Sequence, residues 1–295
     1  MMKYDIVTDY INYCSINKRL SKHSIRAYKT DIMQFYNSGY TNINDYLDYL
    51  CINTKKTSTL KRKIASLKTF YKYLEQRDLL TEKTFIHRKF HFKVDKVLPK
   101  IISPEDMKQL YSYLKSEYNR ATTKYQKEKS HRNLLIAELL LSTGLRISEL
   151  CNIQLNNLDM ENRNIKILGK GNKERILYIG NDHTFQLLKD YVEYYKKISD
   201  KFLFTGKIND MPLSEQTIRL LFRKISLKLS FNKKVTPHMF RHTFATMLLD
   251  NDVDIRFIQH FLGHSSISVT QIYTHVTQNK QQKILKQHNP LNSFI

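Results

Sequence analysis

Thr236-Pro-His-Met-Phe-Arg-His-Thr-Phe-Ala-Thr246 is the stretch on which the reading of this chain turns. Thr236 has the side chain of a helix N-cap, and Pro237 suits the first helical position, where no backbone N–H is needed. A helix opened there puts His238 and Arg241 on one face near its positive end, a good place to hold a phosphate. On either side, residues 214–229 and 254–261 also show helical spacing of apolar side chains. Before them, residues 165–168 and 175–179 change to short β segments around Gly169-Lys-Gly-Asn-Lys173, whose glycines suit a hairpin turn. Residues 182–198 return to a helical pattern, and Leu134 to Leu141 is apolar almost all round, as in a buried helix, ending at Gly144. The second half is therefore mostly helical with one small sheet.

Phosphodiester exchange without metal needs a nucleophile, cations on the non-bridging oxygens and a proton donor for the leaving 5′ oxygen. Arginine meets two phosphate oxygens with one planar fork. A tyrosine link to phosphate can be reversed by the free 5′ hydroxyl, so the bond energy is kept. The chain supplies these residue types in compact order. Arg146 lies in Thr143-Gly-Leu-Arg-Ile-Ser-Glu-Leu150, just past the Gly144 turn, with Glu149 as its structural support. Leu262-Gly-His264 marks a helix end, and Tyr273 follows in Gln271-Ile-Tyr-Thr-His275. Spacing alone does not separate Lys170 from Lys173 as the proton donor.

Three histidine pairs, His87/His91, His238/His242 and His260/His264, have the i, i+4 spacing of metal ligands. No carboxylates accompany them in a ligand pattern, and the arginines already provide positive charge, so no metal is expected. His242, His260 and His275 are read as packing or DNA-contact residues. No phosphate-binding glycine loop with Lys-Ser/Thr is present, so neither ATP nor any other cofactor is expected.

These segments carry a resemblance. With Gly169-Lys-Gly-Asn-Lys-Glu-Arg175 and Leu262-Gly-His-Ser-Ser-Ile-Ser268 running into Tyr273, the chain resembles the tyrosine recombinases, most closely the Xer-like branch, which are similar in fold to phage integrases. Ser21-Lys-His-Ser-Ile-Arg-Ala-Tyr28 and Leu98-Pro99 extend a weaker match toward the N-terminus. The resemblance implies a mainly α, two-domain DNA clamp with a small β-sheet in the C-terminal domain. An N-terminal helical SAM-like core-binding domain would precede an α+β catalytic domain. It implies Arg146 and Arg241 as phosphate clamps and Lys170 as the donor to the 5′ oxygen. His238 would assist proton transfer, His264 would bond the phosphate, and Tyr273 would attack to give a 3′-phosphotyrosine. The function implied is site-specific recombination through a Holliday junction, in chromosome-dimer resolution or mobile-element integration and excision. The partner would be double-stranded DNA with paired sites, held by a homotetramer on two duplexes (or one shared with a related recombinase). The tail would dock between protomers through a short helix over residues 277–288. An enzyme relaxing DNA by the same chemistry, and a DNA-binding relative without catalysis, are the alternatives. Two departures from the family matter: the linker lacks the usual Asn-Pro entry, and residues 116–132 look longer than its loop.

Charge points the same way. The chain has 295 residues, with 49 Lys and Arg against 27 Asp and Glu, a net +22. Residues 1–96 carry a surplus of 10 positive charges and the remainder a surplus of 12, so both halves can face a polyanion. In residues 57–77 an apolar stripe (Leu60, Ile64, Leu67, Phe70, Tyr71, Leu74) backs a basic face. Lys55, Lys56, Lys61, Arg62, Lys63, Lys68 and Lys72 form that face and are the candidate DNA contacts. The expected organisation is 1–92 as core-DNA-binding domain, 93–102 as linker broken by Pro99, and 103–295 as catalytic domain with its tail. Residues 116–132 are polar and read as a loop or a helix extension. Three scattered cysteines, Cys14, Cys51 and Cys151, read as buried thiols in a reducing compartment. No apolar run is long enough to cross a bilayer, and Met1 to Tyr10 has no signal-peptide core, so a cytoplasmic protein, associated with the bacterial nucleoid, is expected.

Overall fold

The computed structural model describes residues 2–80, 90, 92, 99–169, 174–196, 200–206 and 211–263. Lys170, Lys173, His264, Tyr273, the tail segment 277–288 and linker residues 93–98 lie outside them. Among the described residues the fold is mainly helical with one small sheet. The chain divides into two compact units, residues 1–96 and 97–295.

The first unit holds α1 (Met2–Ile16), α2 (Lys22–Tyr36), α3 (Ile43–Asn53) and α4 (Thr57–Glu75). Ser21 caps α2 by accepting from the Ser24 N–H, and Asn42 caps α3 by accepting from Asn44. The apolar stripe of α4 faces α2 and α3, with Leu67 and Phe70 fully buried; Tyr10, Ile32 and Leu47 complete the core. Cys14 is buried, but Cys51 is exposed, against expectation. It sits on the outer face of α3, whose opposite face buries Leu47 and Leu50.

The second unit runs α5 (Pro104–Arg120), α6 (Lys124–Thr143), α7 (Ile147–Cys151), β1 (Leu158–Asp159), β2 (Asn164–Leu168), β3 (Glu174–Tyr178), α8 (Asp182–Tyr195), α9 (Glu215–Lys228), α10 (Pro237–Asp250) and α11 (Ile255–Leu262). The strands form an antiparallel sheet in the order β1-β2-β3, with Ile167 opposite Arg175. Ile165, Ile167 and Leu177 point into the core while Lys166, Leu168, Ile176 and Tyr178 point out, the period-2 pattern of a half-buried sheet. Because α6 is buried on every side from Leu134 to Leu140, with Glu138 its one charged residue there, it sits at the centre and packs on α5, α8 and α10. Residues 116–132 are almost wholly helical. They are the end of α5 and the start of α6, separated by a break at Ala121, and Thr123 and Gln126 form a reciprocal capping box that restarts the helix. Ile102 at the end of the expected linker is buried in this unit, its N–H donating to Thr243 Oγ1 at 2.9 Å.

Gly144 closes α6 in the left-handed conformation, φ 63°. A Cβ there would lie 2.5 Å from Phe244 Cδ1 and 2.9 Å from Leu262 Cδ2. Both the φ angle and the space require glycine. Gly144→Ala is expected to lower stability by about 2–5 kcal/mol, the combined penalty of strain and overpacking, read from urea unfolding of the full chain. A loss below about 0.5 kcal/mol, the scale of an ordinary surface substitution, would contradict this packing.

Candidate active site

The Gly144 turn leads through buried Leu145 to Arg146, the N-cap of α7. Three residues on, Glu149 turns its carboxylate back to the helix start. Its Oε2 accepts from the Arg146 N–H at 2.8 Å, and its Oε1 from Arg146 Nη1 at 2.8 Å. Arg175, on β3, approaches from the sheet and forks onto the same carboxylate, Nη1 to Oε1 and Nη2 to Oε2, both at 2.9 Å. The side chains of Glu149 and Arg175 are 4% and 11% exposed, whereas Arg146 keeps 31% of its side chain in solvent. Burial by itself would raise the Glu149 carboxyl. The Arg175 hydrogen bonds, the Arg146 N–H, the Arg175 charge and the Arg146 side-chain hydrogen bond outweigh it and hold the group below the ordinary carboxylate range.

Arg241 stands on α10, opened as its sequence indicates: Thr236 accepts from Met239 N–H and Pro237 occupies the first turn. The residue is buried, and its guanidinium bridges two backbone carbonyls, Nη1 to Gly144 O at 2.7 Å and Nη2 to Leu262 O at 2.6 Å. A helix leaves its last carbonyls without intrahelical partners and carries partial negative charge at that end. Gly263, at φ 61°, caps α11, so the carbonyls past its last turn are free to take arginine donors. Arg146 Nη2 reaches Gly263 O at 3.3 Å. The two arginines therefore meet at one place, where the Gly144 turn and the end of α11 come together.

His238 lies on the exposed face of α10, one turn before Arg241. Its pKa is lowered, first by partial desolvation and then by repulsion from Arg241, Arg219 and Arg146, with Glu215 opposing. At neutral pH the imidazole is uncharged and can accept a proton. His242 is lowered as well, by burial and by His238 and Arg241.

The structure thus brings together Arg146, Arg241 and His238 of the expected site; Lys170, His264 and Tyr273 lie outside the described residues. Arg175 and Arg219 were not anticipated. Arg175 closes the Gly169–Arg175 segment and could have been singled out there; Arg219, on α9, carried no local signal. In the first unit Arg62 is ion-paired with the buried Asp31, Lys63 donates to Gln34 Oε1 at 2.8 Å, and Lys61 and Lys68 lie over Phe92 and Phe90. Lys55 and Lys56 are exposed. Among the described residues no group of three His, Cys, Asp or Glu side chains is placed to hold a metal ion, and no helix is long and apolar enough to cross a membrane.

Comparison with known proteins agrees with this geometry. Residues 100–280 match the model of the phage integrase family, and residues 7–78 that of the phage integrase N-terminal SAM-like domain. A tyrosine recombinase of Agathobacter rectalis is 40% identical over 298 residues, covering 98% of this chain and 97% of the relative. Tyrosine recombinase XerC of Staphylococcus haemolyticus is 31% identical, covering 97% of each chain. Among solved structures, the Tn1549 transposon integrase in complex with transposon right end DNA shares the fold, with a TM-score of 0.70 at 19% identity over 96% of this chain and 98% of the other. The family matches, over nearly the whole length of the chain, define a site-specific recombinase that cleaves and rejoins DNA strands. Within that class the chain belongs to the phage integrase family of tyrosine recombinases.

Proposed function

We propose that this recombinase acts through Tyr273, with Arg146 and Arg241 as phosphate clamps. The observation that carries the reading is the pairing of Arg241 with Gly144 O and Leu262 O. It pins the turn of Arg146 to the helix end that runs directly into His264. In the proposed step the Tyr273 oxygen attacks the scissile phosphorus and loses its proton, with His238 assisting the transfer. The bond from phosphorus to the 5′ oxygen breaks, and Lys170 protonates the departing oxygen. Arg146, Arg241 and His264 offset the charge on the non-bridging oxygens. A 5′ hydroxyl from a second duplex then attacks the phosphotyrosine and restores the phosphodiester. The roles of Lys170, His264 and Tyr273 rest on their places in the family motifs, and no metal or ATP enters the step.

The proposed partner is duplex DNA with paired sites, bound in a clamp by both units. Residues 1–92 would bind the core site, 93–102 would link, and 103–295 would catalyse. On the first unit Lys55, Lys56, Lys61, Arg62, Lys63 and Lys68 would meet the phosphate backbone. A homotetramer on two duplexes, alone or shared with a related recombinase, would exchange strands in pairs, in the cytoplasm on nucleoid DNA. Chromosome-dimer resolution and mobile-element integration both fit.

The test begins by mapping cleavage sites on genomic DNA, then mixes two duplexes that carry the mapped site. A four-way junction between them is expected. Relaxation of supercoiled DNA without any junction would instead make the chain a relaxing enzyme. The tail is proposed to dock on a neighbouring protomer, so removing residues 280–295 is expected to abolish cooperative loading of the second protomer while a single protomer still binds. Unchanged cooperativity in a gel-shift titration would overturn the docking.

A further inference from the structure

We infer that Arg175 is a positioning residue for Arg146: by occupying half of the acceptor capacity of Glu149 it stops the Arg146 fork from closing bidentately on that carboxylate. This rests on the reading of Arg146 as a phosphate clamp.

An ionised carboxylate offers about four lone-pair positions. On Glu149 all four are filled, two by the Arg175 fork and two by Arg146, through its backbone N–H and through Nη1. A carboxylate so saturated takes only one guanidinium nitrogen from Arg146. With Arg175 removed, two lone pairs open beside a guanidinium that already touches the group. The Arg146 fork would then close bidentately on Glu149, the preferred geometry of such a pair, and withdraw from a phosphate that competes for the same donors.

Arg175 gives both terminal nitrogens of its fork to Glu149. Its Nε–H is buried with no acceptor among the described residues. Its guanidinium also passes beneath Gly263, where a Cβ would come within 2.9 Å of Nη1 and 3.1 Å of Cζ. Gly263 is the residue whose carbonyl takes Arg146 Nη2. Arg175 therefore touches both groups that hold Arg146, the carboxylate and the helix end. With 11% of its side chain exposed and both terminal nitrogens of its fork committed to Glu149, it acts through Arg146.

The experiment measures single-turnover formation of the covalent complex on a nicked duplex of the mapped site. One substrate carries the natural phosphodiester, the other an uncharged methylphosphonate at the scissile position. Arg175→Gln is expected to slow cleavage of the phosphodiester about 10²–10³-fold, the scale of losing one aimed donor, with DNA affinity nearly unchanged. On the methylphosphonate, which has no anionic charge to clamp, the loss should shrink to about 10-fold or less. Adding Glu149→Gln to that variant removes the competing charge and should recover at least about 10-fold on the phosphodiester, at least a third to a half of the 10²–10³-fold loss in logarithmic terms. Equal losses on both substrates, with no recovery in R175Q/E149Q, would overturn the inference even if the single variant folds poorly, because the double variant buries no unpaired charge. Arg146→Ala separates the two levels. If Arg146→Ala cleaves the phosphodiester at the wild-type rate, the clamp reading fails; if it is slowed and Arg175→Gln is not, the positioning role alone fails.

Discussion

Arg241→Ala is expected to reduce covalent cleavage of DNA about 10²–10³-fold and to destabilise the second unit by about 2–6 kcal/mol. The two effects have one origin. Arg241 is buried, and both carbonyls it serves, Gly144 O and Leu262 O, lose their donor when the guanidinium is removed. An unsatisfied buried acceptor costs about 1–3 kcal/mol, and there are two. Arg241→Lys keeps the charge but replaces a planar fork by a single point donor, which cannot span the Gly144 turn and the end of α11 together. It should restore less than half of the lost stability and almost none of the activity. Urea unfolding with a matched cleavage assay checks this. An Arg241→Ala protein as stable as the wild type would show that the bridge does not hold these segments together.

The second large effect is expected at Glu149. Glu149→Gln removes the only carboxylate that faces the Arg175 guanidinium among the described residues and turns an amide N–H toward arginine donors. Breaking a buried pair by neutralising one partner costs about 3–5 kcal/mol. The same pair sets a pH dependence. Because the carboxyl is held below its ordinary value in the folded chain, its contribution is fully present above the unfolded pKa of about 4.3 and is lost as pH falls through the lower folded value. Stability of the wild type should therefore drop between about pH 4.3 and more acid conditions, and the drop should be shallower in Glu149→Gln. Urea midpoints measured from pH 7 down to acid decide it, and parallel acid limbs in the two proteins would remove Glu149 as the cause.

What was legible in the sequence was local. Thr236 announces a helix because a cap acts on N–H groups two or three residues away, and it does so in the structure. Gly144 was legible as a helix stop for the same reason. The restart at Thr123 is not anticipated, although Thr123 and Gln126 spell a capping box, because the polar composition around it hides the helices that it joins. Tertiary pairings were not legible. The Arg175–Glu149 fork links residues 26 apart, and the Asp31–Arg62 pair links residues 31 apart, across two helices. Nothing in the spacing of either arginine announces its carboxylate partner. The place of Arg241 after Thr236-Pro-His suggests a phosphate ligand, whereas its hold on two backbone carbonyls is visible only in the three-dimensional arrangement. Cys51 was read as buried because free cysteines usually are, and α3 turns it outward.

Tyr273 as nucleophile is the claim on which the rest depends, and trapping with a nicked duplex of the mapped site tests it most directly. When the nick lets a short fragment diffuse away, the protein should stay covalently attached to the 3′ phosphate, in the presence of EDTA, and treatment with protease should leave a peptide containing Tyr273 on the DNA. The wild-type chain is predicted to give this product, and Tyr273→Phe to give none while binding the duplex equally well. A covalent product that persists in Tyr273→Phe, or that forms only when a divalent cation is supplied, would contradict the account.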